Sequence, residues 1–192
     1  MTDLAALVRV LKHGGVVACP TETFLGLLAD ARNEKAIERV AELKGRPADM
    51  PIALLLPDRR AAADVALAPS AEARALMQTF WPGPLTILLP AKPDLSPRLT
   101  RDGKVGVRVP CPSPAADLVR AFGHPLTATS ANRTGEPPLR SVDELPAALA
   151  KELGGVMPGV SPGGAPSTLI DSTVAPIEIL RAGAIEIDPT AL

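Results

Sequence analysis

Aromatic residues are nearly absent: among 192 residues there is no Tyr, one Trp and three Phe, so aromatics make up 2%. Proteins that bind single-stranded nucleic acid without sequence preference stack its bases on aromatic side chains. The composition therefore disfavours that class. Apolar residues still reach 46%, so a full core is expected and it must be aliphatic. The length predicts a single domain over residues 1–192.

Cysteine and histidine are also scarce. The two cysteines, Cys19 and Cys111, show no metal or redox spacing, and with only His13 and His124 a His-rich metal site is excluded. Cys19 ends a short apolar run, which is typical of a buried structural thiol. No metal site made by the protein is predicted.

Neither sign of charge dominates. Lys and Arg number 20 and Asp and Glu number 21, which gives a net charge of −1. No global attraction to nucleic acid is expected, although a local basic pocket stays open. No apolar run approaches the ~20 residues that a membrane-spanning helix needs, and the N-terminal stretch predicts a short amphipathic helix rather than a signal peptide. We expect a cytoplasmic protein with no membrane association.

The hydrophobic pattern alternates between helices and short apolar strands. Helical spacing predicts helices at 3–13, 34–44, 70–80 and 114–122, and a further helix that opens at Ser141. Apolar runs predict strands at 16–19, 52–56, 85–89, 105–109, 126–130, 168–171 and 177–181. The 22 prolines lie between these runs and indicate turns, with Pro20 expected to stop the first strand. The pattern indicates an α/β fold with a buried, mixed sheet, and the uneven placement of helices does not support a regular doubly wound sheet.

The familiar motifs for phosphate binding and hydrolysis are missing. There is no GxxxxGK[ST] loop, no GxGxxG after a strand, and no plausible Ser-His-Asp set, because both histidines adjoin turn glycines. The chain must bind anions by another device, or bind none.

Polar side chains follow the first strand. Thr21, Glu22 and Thr23 offer two hydroxyls and a carboxylate where ligand loops of α/β sheets lie. They could hold an amine, a hydroxyl or a metal-bound water. An ordinary turn with threonine capping is the interpretation that the residues alone favour.

Two cations and a polar loop are further candidates. Lys44 ends the second predicted helix and Gly45 breaks it, so Lys44 and Arg46 could surround one polyphosphate, although a solvated helix end is favoured on these residues alone. Ser130 and Asn132 follow a predicted strand and could bind phosphate oxygens or a base edge. An Asx turn is the alternative for this pair.

Arg108 lies in a mainly apolar strand. Alternation places Val105, Val107 and Val109 on the core face, and Gly106 and Arg108 on the other. Arg108 could face water at a sheet edge, or face a cleft and hold a carboxylate by two hydrogen bonds, and the two interpretations are evenly matched.

The C-terminal third offers a glycine-rich candidate. Gly163 and Gly164 precede the strand predicted at 168–171. Ser167 lies directly before that strand, and Arg181 follows further along the chain. Glycines before a strand permit close approach of the backbone to a ligand, and a flexible loop is the alternative.

Taken in order, these segments resemble the YrdC/TsaC family of threonylcarbamoyl-AMP synthases in its single-domain form. The similar stretches run from about residue 14 to 183 and are PTETFLGLLAD, KGRPADMP, FWPGPLTILL, VGVRVP, TSANRTGEP, APSTLID and ILRAG. The resemblance implies a twisted mixed α/β sheet with flanking helices around a concave basic cavity.

The resemblance also implies the roles of individual residues. ATP would be bound by Lys44, Arg46, Ser130, Asn132 and Arg181, with Lys44 and Arg46 also catalytic. L-threonine would lie near three further residues, which are Thr23, Arg108 and Ser167.

The implied reaction joins L-threonine, bicarbonate and ATP into threonylcarbamoyl-adenylate and pyrophosphate, with Mg²⁺ on the phosphates. The product would pass to a transferase complex that modifies tRNA to threonylcarbamoyladenosine, and weak RNA binding is compatible with a basic cavity. Alternatives are an RNA-binding module without catalysis, and a related carbamoyl-adenylate enzyme with a different substrate, as in the YrdC-like domain of hydrogenase maturation proteins.

The sequence departs from the family pattern in four places. Leu25 stands where the family usually has Tyr, Leu55 where some members have His, and Met50 where Asn is usual. The usual P-x-H-P reads PCPSP at 110–114. These changes touch the amino-acid end of the implied pocket and the nucleotide rim.

Overall fold

The computed structural model describes residues 3–187. Its helices are α1 (Leu4–Lys12), α2 (Glu34–Lys44), α3 (Ala62–Val65), α4 (Ala71–Phe80), α5 (Pro114–Phe122) and α6 (Ala147–Ala150), with a 3₁₀ turn at Val142–Glu144. Its strands are β1 (Val17–Pro20), β2 (Leu25–Leu28), β3 (Ala53–Leu55), β4 (Leu85–Pro90), β5 (Thr100–Arg101), β6 (Lys104–Arg108), β7 (Leu126–Ser130), β8 (Gly155–Val156), β9 (Thr168–Asp171) and β10 (Glu178–Arg181).

Capping side chains fix where the longer helices begin. Asp3, Asn33, Ser70 and Ser113 each accept a hydrogen bond from a backbone N–H of the first turn, which satisfies a donor that has no partner within the helix. Pro114 follows Ser113 as the first residue of α5, where its missing N–H costs nothing.

The expectation at Ser141 was wrong in part. Ser141 does cap a turn, by accepting from the N–H of Asp143, but the turn is a 3₁₀ turn that ends at Glu144. The short helix α6 begins only after Pro146. Proline lacks an N–H and disfavours a helical residue before it, so one continuous helix cannot form there.

All ten strands belong to one mixed sheet, in the order β10-β9-β4-β6-β3-β7-β2-β1-β8, with β5 paired to β6. The pairs β9/β4, β3/β6 and β1/β8 are parallel and the others are antiparallel. This confirms the predicted α/β fold with a mixed sheet. Strand β1 includes Pro20, which was expected to stop it, because Pro20 pairs with Leu25 at the last position of the ladder.

The two faces of the sheet are packed differently. One face carries an aliphatic core that is closed by α2, α3 and α4 and includes Leu54, Ile87 and Val107. The other face is covered at its β1 side by α1 and α5, which pack on Cys19, Leu28 and Leu55, among others. Over the central strands, this second face opens into a cavity.

Among the residues from 3 to 187, no helix has both the length and the apolar character that crossing a membrane requires.

Leu54 should be a main stabilising contact of the sheet. It is fully buried in β3, paired with Val107 on one side and Thr127 on the other. We expect Leu54→Ala to lower the free energy of unfolding by about 2–5 kcal/mol through lost burial and a residual void. Denaturant unfolding measures this directly. The control is Leu67→Ala, because Leu67 is 52% exposed and should change stability by less than ~0.5 kcal/mol. Equal losses in the two variants would contradict this description of the core.

Candidate active site

A cavity of about 670 Å³ opens on the second face of the sheet. Its volume lies within the range of ~300–1,000 Å³ typical of sites for small molecules and cofactors. Small residues of neighbouring strands form its floor, and these are Gly26, Ala53, Gly106 and Ala128. A Cβ at Gly106 would lie 3.3 Å from the Leu88 side chain. The cavity is therefore deep because the central strands carry only glycine and alanine at these positions.

The β7 side of the cavity is polar and holds Arg46, Ser130 and Asn132. Gly45 ends α2 in the left-handed conformation (φ 57°), which turns the chain so that Arg46 leaves the helix axis. The Arg46 guanidinium donates to the carbonyls of Met50 (2.8 Å) and Pro51 (2.7 Å) and to the hydroxyl of Thr129 (3.3 Å). These acceptors hold Arg46 in place along the cavity wall.

Lys44 lies behind this wall. The residue is 3% exposed, and its ammonium group donates to the carbonyl of Asn132 at 2.6 Å and to the carbonyl of Ser130. The Ser130 hydroxyl lies 3.5 Å from the same nitrogen. Lys44 thus fastens the end of α2 to the loop that presents Ser130 and Asn132 to the cavity.

Burial lowers the pKa of Lys44 to about 8, and the neighbouring charge of Arg46 adds to this effect while Glu136 opposes it. A cation is disfavoured where it is removed from water, so the proton is held less tightly. Burial likewise lowers the pKa of Arg46.

Asn132 both shapes the loop and presents a free acceptor. Its amide nitrogen donates to the carbonyls of Arg133 (2.9 Å) and Glu136 (2.6 Å). Its Oδ1 is buried and accepts no hydrogen bond from the described residues. Buried polar atoms are nearly always paired, which makes this oxygen a candidate ligand contact.

The β9 side holds Arg181 and Ser167. The Arg181 guanidinium donates to the Ser167 carbonyl at 2.8 and 3.1 Å and to the Ser167 hydroxyl at 3.1 Å. That hydroxyl also lies 2.9 Å from the hydroxyl of Thr86. Burial lowers the pKa of Arg181, and the nearby charge of Arg108 lowers it further.

Arg108 lies between these two sides, because β6 is an interior strand flanked by β4 and β3. It faces the cavity and not an exposed sheet edge, and its side chain is 8% exposed. One guanidinium nitrogen, Nη1, lies 3.2 Å from Oε1 of Glu22. Burial lowers the pKa of Arg108, while the Glu22 carboxylate opposes that shift.

The segment after β1 combines a turn with a cavity contact. The Thr21 hydroxyl accepts from the N–H of Thr23 (3.1 Å) and of Phe24 (3.2 Å) and donates to the Phe24 carbonyl (2.7 Å). Thr21 is therefore the capping residue that the turn interpretation predicts. Thr23 lines the cavity, and its carbonyl accepts from the N–H of Gly163 at 2.8 Å.

The structure brings the candidate residues to one place. Seven of them line the same cavity, and these are Thr23, Arg46, Arg108, Ser130, Asn132, Ser167 and Arg181. Lys44 lies behind the wall, as described above.

Thr86 and Glu136 are polar lining residues that the sequence analysis did not single out. Thr86 interrupts the apolar run of β4 on the same face as Leu88, a signal that alternation could have shown. Glu136 lies in a loop and had no such signal.

The chain is similar to known proteins over nearly its whole length. The Sua5_yciO_yrdC family model, described as telomere recombination, matches residues 9–183. The chain is 38% identical over 154 residues to the threonylcarbamoyl-AMP synthase of Nitrosococcus oceani, covering 80% of this chain and 83% of that protein. It is also 38% identical over 174 residues to the protein of that name from Bacillus subtilis, covering 90% of this chain and 49% of the relative. The chain thus spans about half the length of one of these relatives and most of the other.

Two solved structures also match the chain over nearly its whole length. The structure of Pyrococcus abyssi Sua5 complexed with L-threonine matches with a TM-score of 0.86 and 33% identity, covering 94% of this chain and 54% of that one. Escherichia coli YciO matches with a TM-score of 0.86 and 25% identity, covering 97% and 91% of the two chains.

The lowered pKa of Lys44 predicts a stability that rises with pH. The unfolded lysine titrates near ~10.4 and the folded one at about 8, so between these values the unfolded chain binds more protons. The free energy of unfolding should therefore rise, by on the order of 2 kcal/mol from about pH 8 to about pH 10.5, relative to Lys44→Met. Denaturant unfolding of both proteins across this range is the measurement, and the absence of Tyr removes a competing titration. Parallel pH dependences would contradict the lowered pKa.

Proposed function

The chain belongs to the Sua5/YciO/YrdC family, and from that membership we propose that it is a threonylcarbamoyl-AMP synthase. It joins L-threonine, bicarbonate and ATP into threonylcarbamoyl-AMP and pyrophosphate. The observation that carries this proposal is the cavity itself, in which Arg46, Arg108 and Arg181 surround a floor of small residues. Guanidinium groups suit both reactants, since a carboxylate and a polyphosphate each accept paired hydrogen bonds from them.

The two substrates use different parts of the cavity. ATP is bound by Arg46, Ser130 and Asn132 on the β7 side, with Lys44 behind them and Arg181 from β10. Lys44 and Arg46 are the residues that we assign to catalysis: Arg46 supplies positive charge to the phosphates from the cavity wall, and Lys44 acts from behind it, through the loop that it holds.

L-threonine lies against Arg108, Thr23 and Ser167. The Arg108 guanidinium takes the carboxylate of the amino acid, and the two hydroxyls take its remaining polar groups. This assignment gives the buried cation of β6 an anionic ligand in addition to Glu22.

The reaction then needs position and charge more than a strong base. The threonine amine and bicarbonate form a carbamate with loss of water. A carbamate oxygen attacks the α-phosphorus of ATP, so that an O–P bond forms, the bond from the α-phosphorus to the bridging oxygen breaks, and pyrophosphate leaves. The carbamate is already anionic, which fits a cavity with arginine, serine, threonine and asparagine and no histidine among its lining residues.

Mg²⁺ would enter with ATP. Among residues 3–187 no group of three or more His, Cys, Asp or Glu could hold a metal ion, so a cage made by the protein is not supported. Mg²⁺ commonly takes one or two protein oxygens besides phosphates, and Glu136 is a carboxylate residue of the cavity lining on the β7 side. Glu136 would hold the ion there, where it neutralises phosphate charge.

The wider role follows from the product. Threonylcarbamoyl-AMP is an activated acyl donor, and we propose that it passes in the cytoplasm to a transferase complex that modifies tRNA. A related enzyme that acts on another amine is the second candidate, because Leu55 is the β3 neighbour of Arg108 and lines the cavity. That apolar side chain could select a different amino acid.

The direct test is product formation by the purified chain. Incubation with ATP, Mg²⁺, bicarbonate and L-threonine should give threonylcarbamoyl-AMP by mass spectrometry, together with pyrophosphate. L-serine, glycine and L-valine tested in parallel would reveal a different amine substrate. No adenylate with any amino acid, combined with RNA binding that falls steeply with salt, would support the RNA-binding alternative instead.

Arg108→Lys should separate the two substrates. Lysine keeps the charge but cannot form the two-point contact with a carboxylate. We expect the KM for L-threonine to rise at least ~tenfold, or about 1.4 kcal/mol, with the KM for ATP little changed. Arg101→Lys is the matched control, because Arg101 lies on the adjacent strand β5 with a side chain 61% exposed. Equal losses for both substrates would move Arg108 to the phosphates.

A further inference from the structure

The Glu22 carboxylate is a buried charge with one charged partner among the described residues. Its side chain is 8% exposed, and Oε1 lies 3.2 Å from Nη1 of Arg108. Neither oxygen has a hydrogen-bond partner within residues 3–187, and both are sealed from solvent. Arg108 lines the cavity, whereas Glu22 lies behind it.

The backbone fixes Glu22 in this position from both sides. Before it, the N–H of Thr21 donates to the Ser161 hydroxyl at 3.2 Å. After it, the N–H of Thr23 donates to the Thr21 hydroxyl, and the carbonyl of Thr23 accepts from Gly163. The turn is thus tied to the 161–163 loop, which holds the backbone on both sides of Glu22 in place.

A carboxylate in such a place costs free energy that a neutral residue would not. Removing a charge from water is compensated only where the partner is close and well oriented. The turn itself needs no carboxylate, because the Thr21 hydroxyl satisfies its N–H groups. The negative charge of Glu22 therefore serves its ion pair with Arg108.

Arg108 needs this partner for a second reason. Arg181 lies close enough for the two positive charges to affect each other, and its pKa is lowered in part by Arg108. Without Glu22, the buried guanidinium of Arg108 and the more exposed one of Arg181 would repel each other at the cavity. The Glu22 carboxylate offsets this repulsion by its charge and attracts the guanidinium at Nη1, which leaves the other N–H donors of Arg108 for a ligand.

We propose that Glu22 is a positioning residue for recognition of the amino-acid carboxylate. It does not touch the substrate, and it fixes the Arg108 guanidinium so that the edge facing the cavity binds the α-carboxylate. The inference rests on the proposed function, because the carboxylate is that of the L-threonine substrate.

A double-mutant cycle tests whether Glu22 acts through Arg108. The proteins are wild type, Glu22→Gln, Arg108→Gln and the double variant, and the measured quantities are the KM values for L-threonine and for ATP. We expect Glu22→Gln to raise the KM for L-threonine about tenfold with the KM for ATP within twofold of wild type. In the Arg108→Gln background, the same change should add no further increase, because the group that Glu22 positions is already gone.

Other outcomes would overturn the inference. Equal multiplication of the KM by Glu22→Gln in both backgrounds would place Glu22 on the substrate directly. A lowered melting temperature with an unchanged KM for L-threonine would make it a structural residue only. Glu178→Gln, which changes an exposed carboxylate on β10, is the control and should leave both KM values unchanged.

A second variant covers the case in which Glu22→Gln does not fold. Glu22→Asp keeps the charge but withdraws it by one methylene, so the KM for L-threonine should still rise at least threefold while the KM for ATP does not. An unchanged KM for L-threonine in that variant would also overturn the proposal. Wild-type protein that makes no threonylcarbamoyl-AMP would refute the proposed function itself, an outcome distinct from an active wild type with an unaffected Glu22 variant.

Discussion

The alternation of side chains along the central strands is the constraint on which both the core and the cavity depend. In β6, Val105 and Val107 lie on the sealed face, which is the face that packs in the core. Gly106 and Arg108 lie on the open face, which lines the cavity. A slip of one residue in register would exchange the two faces. Because the chain has almost no aromatic residues, the sealed face is closed mainly by aliphatic side chains together with Trp81. The open face gains its depth from glycine and alanine.

The charged groups of the cavity are held mainly by backbone carbonyls. Lys44, Arg46 and Arg181 all donate to carbonyl oxygens of neighbouring loops. These acceptors cannot change rotamer, so the cations are oriented before any ligand arrives, and little ordering remains to be done on binding. Arg108 differs, because its partner is the side chain of Glu22.

Much of the fold was predictable, and the limits have physical causes. Helices α1, α2 and α5 were predictable because their apolar spacing and their capping residues are both local in sequence. Ser113, for example, caps a backbone N–H only three residues further on. Strand β2 was missed because Gly26 interrupts its apolar run, and β8 has only two residues. Strand order depends on contacts between distant segments, which local patterns do not encode.

The same limit applied to the site. The resemblance singled out Lys44 and Arg108, but their partners lie far away in sequence: a carbonyl at Asn132 and the carboxylate of Glu22. Carbonyl acceptors carry no sequence signal at all.

The strand order also has a consequence for synthesis of the chain. Strand β4 ends at residue 90, but its parallel neighbour β9 begins only at residue 168. Ribosomes add ~5–20 residues per second, so the edge of β4 emerges several seconds before the strand that will pair with it. Throughout that interval the growing polypeptide carries an unpaired strand edge, which is a place where aggregation can begin before the chain is complete.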